Sequence, residues 1–132
     1  MTLRFMLDTD SVSFAIRGVG EVAARMVQHS PSELCVSAIT VAELRRGVER
    51  RRSAKLDRIV SSFVKQLMVV PFDEDCAMEF GRLASKLEAR GTPIDVTDAL
   101  IAAHALTLGV TLVTNNERHF SRVPGLRIAN WS

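Results

Sequence analysis

A chain of 132 residues, 47% hydrophobic and 24% charged, carries enough apolar material to bury a core without disulfide or metal staples, which excludes a disordered or fibrous protein. No apolar run approaches the roughly 18 residues of a membrane span, and Met1 to Leu7 meets Asp8 too soon for a signal peptide, so a cytoplasmic protein is expected. The formal net charge is only +2, but Lys55, Lys65 and Lys86 are the sole lysines; the basic side is mainly arginine, whose planar fork suits phosphate.

In chain order, Leu3 to Leu7 reads as a short buried strand, and Asp8-Thr9-Asp10-Ser11 as a turn into a helix. Val19 to Gln28 is expected to be helical, ending near His29-Ser30-Pro31. Leu34-Cys35-Val36 predicts a second strand, followed by Ser37 and a helix from about Thr40 to Glu49. Ser53 to Gln66 and Asp75 to Arg90 predict two more helices, separated by a Val69-Val70 strand and Pro71. Gly91-Thr92-Pro93 breaks the chain. An apolar helix from Val96 to Leu108 then stops at Gly109, a residue suited to a left-handed cap. Val110 to Val113 is rich in β-branched residues, and Leu126 to Ile128 predicts an edge strand after Pro124-Gly125.

Short apolar strands alternating with helices imply an α/β fold with a central, mostly parallel sheet flanked by helices. No repeat, low-complexity tract or linker interrupts the chain, so residues 1–132 are expected to form one domain. In open parallel sheets, sites form beyond the carboxyl ends of the strands. That rule singles out Asp8, Ser37 and Thr114-Asn115-Asn116.

Three acids stand out, each with a local structural alternative. Asp8 follows a strand and could face the sheet edge or cap the next helix. Glu43 in Thr40-Val41-Ala42-Glu43 fits the capping-box spacing, and Asp98 in Asp95-Val96-Thr97-Asp98 is an acidic variant of it. Their joint arrival at one sheet edge is what favours chemistry. Carboxylates gathered there raise each other's pKa unless a cation sits between them. Mg²⁺, or Mn²⁺ as a substitute, needs only a few oxygen ligands and can activate water for phosphodiester cleavage. Asp8 and Asp98 are then ligands, with Glu43 binding the ion or holding its water.

Thr114, Asn115, Asn116 and Glu117 offer neutral oxygens plus one carboxylate to that edge, although a strand-to-loop turn uses the same residue types. Thr9 and Ser11 are candidates to orient a carboxylate or water, and Ser37 to cap a helix or bond within the site. Arg45, Arg46 and Arg50, in the densest basic stretch, are candidates for phosphate contacts, against the alternative of a solvated helix end. His104 reads as a satisfied, partly buried residue rather than a ligand, His119 as a surface residue, and Trp131 as packing. Cys35 and Cys76 read as buried free thiols, since no zinc or redox spacing joins them. No phosphate-binding glycine loop or Ser/His/Asp set is present in the sequence.

The segments MLDTDS, SAITVAELRRG, GTPIDVTDALIAAHAL and LVTNNERHF, in this order and spacing across nearly the whole chain, resemble the PIN-domain toxins of bacterial VapBC toxin–antitoxin systems. The resemblance implies a PIN fold, Mg²⁺- or Mn²⁺-dependent endoribonuclease activity, a homodimer, and neutralisation by a VapB-type antitoxin that occludes the site. It places Asp8, Glu43 and Asp98 at the family's acidic positions. Asn116 falls where many members carry a fourth aspartate. In enteric relatives a glutamate follows shortly after, at the position of His119 here, so Glu117 is a candidate to compensate. Asp10 falls where asparagine is common. The ending VPGLRIANW resembles the enteric subgroup, which implies tRNA as substrate, specifically initiator tRNA cut in the anticodon loop.

Two other functions fit parts of the sequence. Asp8-Thr9-Asp10 after a strand imitates the acid pair of a haloacid-dehalogenase-like phosphatase, but that chemistry needs a later lysine and none follows Lys86. A non-catalytic RNA-binding module with an incomplete metal site is suggested by the neutral Asn116.

Overall fold

A computed structural model describes residues 2–132. Its elements are β1 (Phe5–Leu7), α1 (Thr9–Arg17), α2 (Val22–Met26), β2 (Leu34–Ser37), α3 (Ala38–Arg51), α4 (Ala54–Lys65), β3 (Met68–Val70), α5 (Glu74–Ala89), α6 (Val96–Leu108), β4 (Thr111–Val113), α7 (Glu117–Phe120) and β5 (Ile128–Ala129), with a 3₁₀ turn at Pro31–Glu33. The five strands form one sheet in the order β3-β2-β1-β4-β5, and every pairing is parallel. The mostly parallel sheet expected from sequence is thus entirely parallel.

Alternation along the strands sorts the core into two layers. Met6, Cys35 and Leu112 are in register across β2, β1 and β4 and pack with Leu83 and Leu87 of α5 and Ile101 and Ala105 of α6. Leu7, Val36 and Val113, one residue further along, serve the opposite face with Val12 of α1, Val22 of α2 and Trp131. A fully buried aliphatic side chain contributes about 1.5–3 kcal/mol, so a one-residue slip of β1 would forfeit contacts on both faces.

The helix from Val96 to Leu108 has the expected bounds, ending at Gly109 with φ 68°. Elsewhere the chain departs from expectation for local reasons. The helix expected over Val19 to Gln28 shortens to Val22–Met26, because Gly18 and Gly20 both take positive φ ahead of it. Gly20 has a second constraint: a Cβ there would lie 2.8 Å from the Ser132 backbone. α3 begins earlier than Thr40, because Ser37 caps it through a bond from Ile39 N to Ser37 Oγ. The edge strand shifts from Leu126–Ile128 to Ile128–Ala129, where Leu112 and Val113 find their partners. Among the described residues, no helix is long and apolar enough to cross a membrane.

Candidate active site

The sheet order places a switch between β1 and β4: successive strands are added on one side of β1 up to β3, and the chain then returns to its other side. Crevices at such switch points, beyond the carboxyl ends of the strands, are where open α/β sheets bind ligands. Here the edge is tied together by the backbone. Asp8 N donates to Val113 O at 3.0 Å, and Ser11 Oγ donates to the same carbonyl at 3.0 Å.

Asp8 takes both roles that its sequence position allows. Its carboxylate caps α1 by accepting Ser11 N at 2.8 Å, and the residue is only 5% exposed at the sheet edge. Burial raises its pKa, against the opposing hydrogen bonds of the Thr114 hydroxyl and of Ser11. Among the described residues no basic side chain forms an ion pair with it. A buried carboxylate held by hydrogen bonds but lacking a cation is costly to ionise.

Asp98 lies in the first turn of α6, three residues after the N-cap Asp95, which accepts Thr97 N at 3.2 Å; the capping box is not closed, since among the described residues no hydrogen bond runs from the Asp95 amide to the Asp98 carboxylate. Its pKa is pushed up to about 6, first by burial and then by the charges of Asp95, Asp8 and Glu43, while His119 pulls it down. Glu43 is not part of a capping box either. Thr40 is a buried residue inside α3, and the Glu43 carboxylate instead accepts the hydroxyl of Thr9 at the start of α1. Asp8 and Glu43 therefore both act electrostatically on Asp98, although the three sit 35 or more positions apart in sequence.

Among the described residues, no three His, Cys, Asp or Glu groups already stand together as a ready-made cage. The donor chemistry nevertheless suits a hard divalent ion: oxygen ligands, uncompensated negative charge and two carboxyls that burial has made reluctant to ionise. A cation at this edge would relieve the cost that each acid imposes on the others.

Comparison with known proteins agrees with this architecture. Residues 5–126 match the PIN domain family. The chain is 36% identical over 130 residues to the tRNA(fMet)-specific endonuclease VapC of Salmonella typhimurium, covering 98% of each protein. It belongs to the VapC family of PIN-domain ribonucleases. Ribonuclease VapC2 of Haemophilus influenzae is 37% identical over 131 residues, covering 98% of each. The crystal structure of DNA-bound VapBC from Salmonella typhimurium superposes with a TM-score of 0.90 at 36% identity, covering 99% of this chain and 100% of that one. Membership of the VapC family removes the phosphatase reading of Asp8-Thr9-Asp10; Asp10 is an exposed residue of α1.

In this VapC-family chain the other residues singled out by sequence divide unevenly. Thr9, Ser11 and Thr114 all lie at the acidic edge: Thr9 donates to Glu43, the Ser11 amide holds Asp8, and the buried Thr114 hydroxyl accepts Asn116 N at 2.9 Å. Asn116 directs its amide to His119 Nδ1 at 3.0 Å. Glu117 is exposed and accepts Asn130 Nδ2 at 3.1 Å, so its carboxylate is engaged with the end of β5. Of the arginines, Arg45 is tied to Asp57 at 2.7 Å and to Ser61, which raises its pKa and commits it to the α3–α4 packing. Arg46 is exposed. Arg50 lines a cavity of about 450 Å³ between α1, α3 and α4, together with Arg17, Arg51, Thr9, Asp10 and Glu43.

Two histidines sharpen the sequence reading. His119 is partly exposed, as expected of a surface residue, and it also reaches the acidic edge, with Nδ1 3.8 Å from Asp98 Oδ2. Its spacing of three from Asn116 across a short helix was the available signal. His104 is fully buried rather than partly so: Nδ1 meets Ser37 Oγ at 2.8 Å, while Nε2 has no partner among the described residues. Burial lowers its pKa and keeps it neutral. Cys35 and Cys76 are free and buried as expected, and burial pushes the Cys35 thiol up to about 12. Trp131 packs as expected, stacked on His29 at 5.5 Å and tilted against Phe5.

Proposed function

We propose that this chain is the toxin of a VapBC-type toxin–antitoxin pair, a divalent-metal-dependent endoribonuclease that cuts tRNA in the cytoplasm. The observation that carries the reading is the coupling of Asp8, Glu43 and Asp98 at the switch-point edge, with Asp98 raised to about 6 and Asp8 buried without a cation. Mg²⁺ is the expected ion, with Mn²⁺ as a substitute, because a few carboxylates satisfy either. Initiator tRNA, cut in the anticodon loop, is the expected substrate, supported by the relative from Salmonella typhimurium that is named for tRNA(fMet).

In this reading Asp8 and Asp98 hold the ion and Glu43 completes its shell or orients a water. When bound, the ion neutralises the acids and supplies Lewis acidity for hydrolysis of the phosphodiester. The protein's own contribution is to fix the acids in advance. The Ser11 amide sets the orientation of Asp8, the Thr9 hydroxyl sets that of Glu43, and the unclosed capping box leaves the Asp98 carboxylate free of the Asp95 amide. Arg50 and Arg51, with Arg17, line the cavity that Glu43 also lines, which supports a role for them in taking the phosphates of the bound RNA.

The proposed partner is a VapB-type antitoxin that covers this edge, consistent with the superposition on a VapBC complex. The chain is proposed to act as a homodimer, for which the exposed Met78 of α5 and Val96 of α6 supply apolar surface. The test is cleavage of purified tRNA, with 5′ ends mapped by sequencing and Asp8→Ala as control. A single cut that needs Mg²⁺ or Mn²⁺ and vanishes with EDTA is expected. Cleavage that survives EDTA, or an Asp98→Ala protein that cuts at the wild-type rate, would overturn the mechanism.

A further inference from the structure

We propose that His119 is a nitrogen donor to the divalent ion of this site and biases it toward Mn²⁺ and Co²⁺ over Mg²⁺. The inference rests on the metal-dependent reading above and concerns only which side chains meet the ion.

Three observations carry it. First, His119 Nδ1 is 3.8 Å from Asp98 Oδ2. Two donors that each stand about 2.1 Å from one ion can be no more than about 4.2 Å apart, so this pair lies within the span of a single ion. Second, the Asn116 amide donates to Nδ1 at 3.0 Å, so Nδ1 is the unprotonated ring nitrogen, and an ion would take its lone pair in place of this hydrogen bond. Third, the acids that act on Asp98 come from the cap of α1, from α3 and from the start of α6, whereas His119 reaches Asp98 from α7, an element that supplies none of them. A carboxylate in its place would add to the repulsion around Asp98; an imidazole supplies a donor without charge.

The selectivity follows from ligand chemistry. Mg²⁺ prefers an all-oxygen shell with near-ideal octahedral geometry, whereas imidazole affinity rises along the first-row transition series. A shell of carboxylates plus one imidazole therefore loses more for Mg²⁺ than for Co²⁺ or Mn²⁺.

The test measures binding of MgCl₂, MnCl₂ and CoCl₂ to the full chain by calorimetry, with Co²⁺ absorption reporting nitrogen ligation. His119→Ala, His119→Glu and Asp98→Ala are compared with wild type, with circular dichroism to verify folding. His119 is partly exposed on a four-residue helix, so its replacement leaves the core intact. His119→Ala is expected to weaken Mn²⁺ and Co²⁺ by about tenfold or more, the scale seen when groups supporting a metal site are removed, with a smaller loss for Mg²⁺. His119→Glu is expected to reverse the preference, and both variants to alter the Co²⁺ spectrum. An unchanged ratio of Mn²⁺ to Mg²⁺ affinity, or an unchanged Co²⁺ spectrum, overturns the role of His119. If Asp98→Ala abolishes binding in that case, the metal-dependent reading stands without it. If wild type binds none of the three ions, both readings fall.

Discussion

Replacing Asp98 by Asn should stabilise the ion-free protein while destroying its activity, a consequence of placing a carboxylate where its charge is unwelcome. In the folded chain burial, Asp95, Asp8 and Glu43 lift its pKa from 3.8 to about 6. A shift of that size corresponds to at most about 3 kcal/mol against the ionised form. The side chain is 28% exposed, and solvent screening brings the figure to about 1–2 kcal/mol. Attraction between an acid in the first helical turn and the α6 dipole offsets about 0.5 kcal/mol of this, so the net gain expected for Asp98→Asn at pH 7.5 is about 1 kcal/mol. For a chain of this length that is roughly 4 °C in Tm.

The sign with pH follows from linkage. Because the folded pKa lies above the unfolded value, the folded state binds the proton more tightly between about pH 4 and 6, and wild-type stability contributed by this group falls as pH rises through that window. Asn has no such term. Thermal melts in EDTA should therefore show the variant ahead at pH 7.5 and the gap closing by pH 4. Adding Mg²⁺ or Mn²⁺ should raise the wild-type Tm and close the gap from the other side, since a ligand of the native state stabilises it. An Asp98→Asn protein that melts below wild type at pH 7.5 in EDTA would refute the reasoning, as would a gap that does not change with pH.

Other substitutions separate the roles assigned above. Asp8→Asn keeps a helix-capping oxygen and removes a buried charge, so it should abolish cleavage without loss of stability, whereas Asp8→Ala should forfeit the cap, worth about 1 kcal/mol, relative to Asp8→Asn; denaturant titration distinguishes the two. Neutralising Arg50 and Arg51 should lower the salt slope of RNA binding, while Arg45→Ala should leave that slope unchanged and lower the stability only slightly, because Arg45 is committed to Asp57 in a solvent-screened pair. Gly20→Ala should destabilise the fold by more than about 1 kcal/mol, since φ is +66° and the added carbon meets the Ser132 backbone. Gly81→Ala, in open space on α5, should gain about 0.5–1 kcal/mol in the same chemical-denaturation assay.

Sequence by itself determined the elements whose signals are local: the apolar strand before Asp8, the Val96 to Leu108 helix with its Gly109 stop, and the alternation of strand and helix that requires a parallel sheet. It also named Asp8, Glu43 and Asp98, but left each balanced against helix capping, because a carboxylate near a helix start serves either purpose. Only the tertiary structure separated these. Ser37, not Thr40, caps α3, the capping box from Asp95 to Asp98 is left unclosed, and Asp8 keeps its capping bond while lying buried at the switch point. The tertiary structure also moved residues whose local pattern was silent. Arg45 went to Asp57, Glu117 to Asn130, and His119 to the side of Asp98. A charge's partner depends on which strands lie adjacent, and adjacency in the order β3-β2-β1-β4-β5 joins residues about a hundred positions apart, beyond the reach of any periodicity.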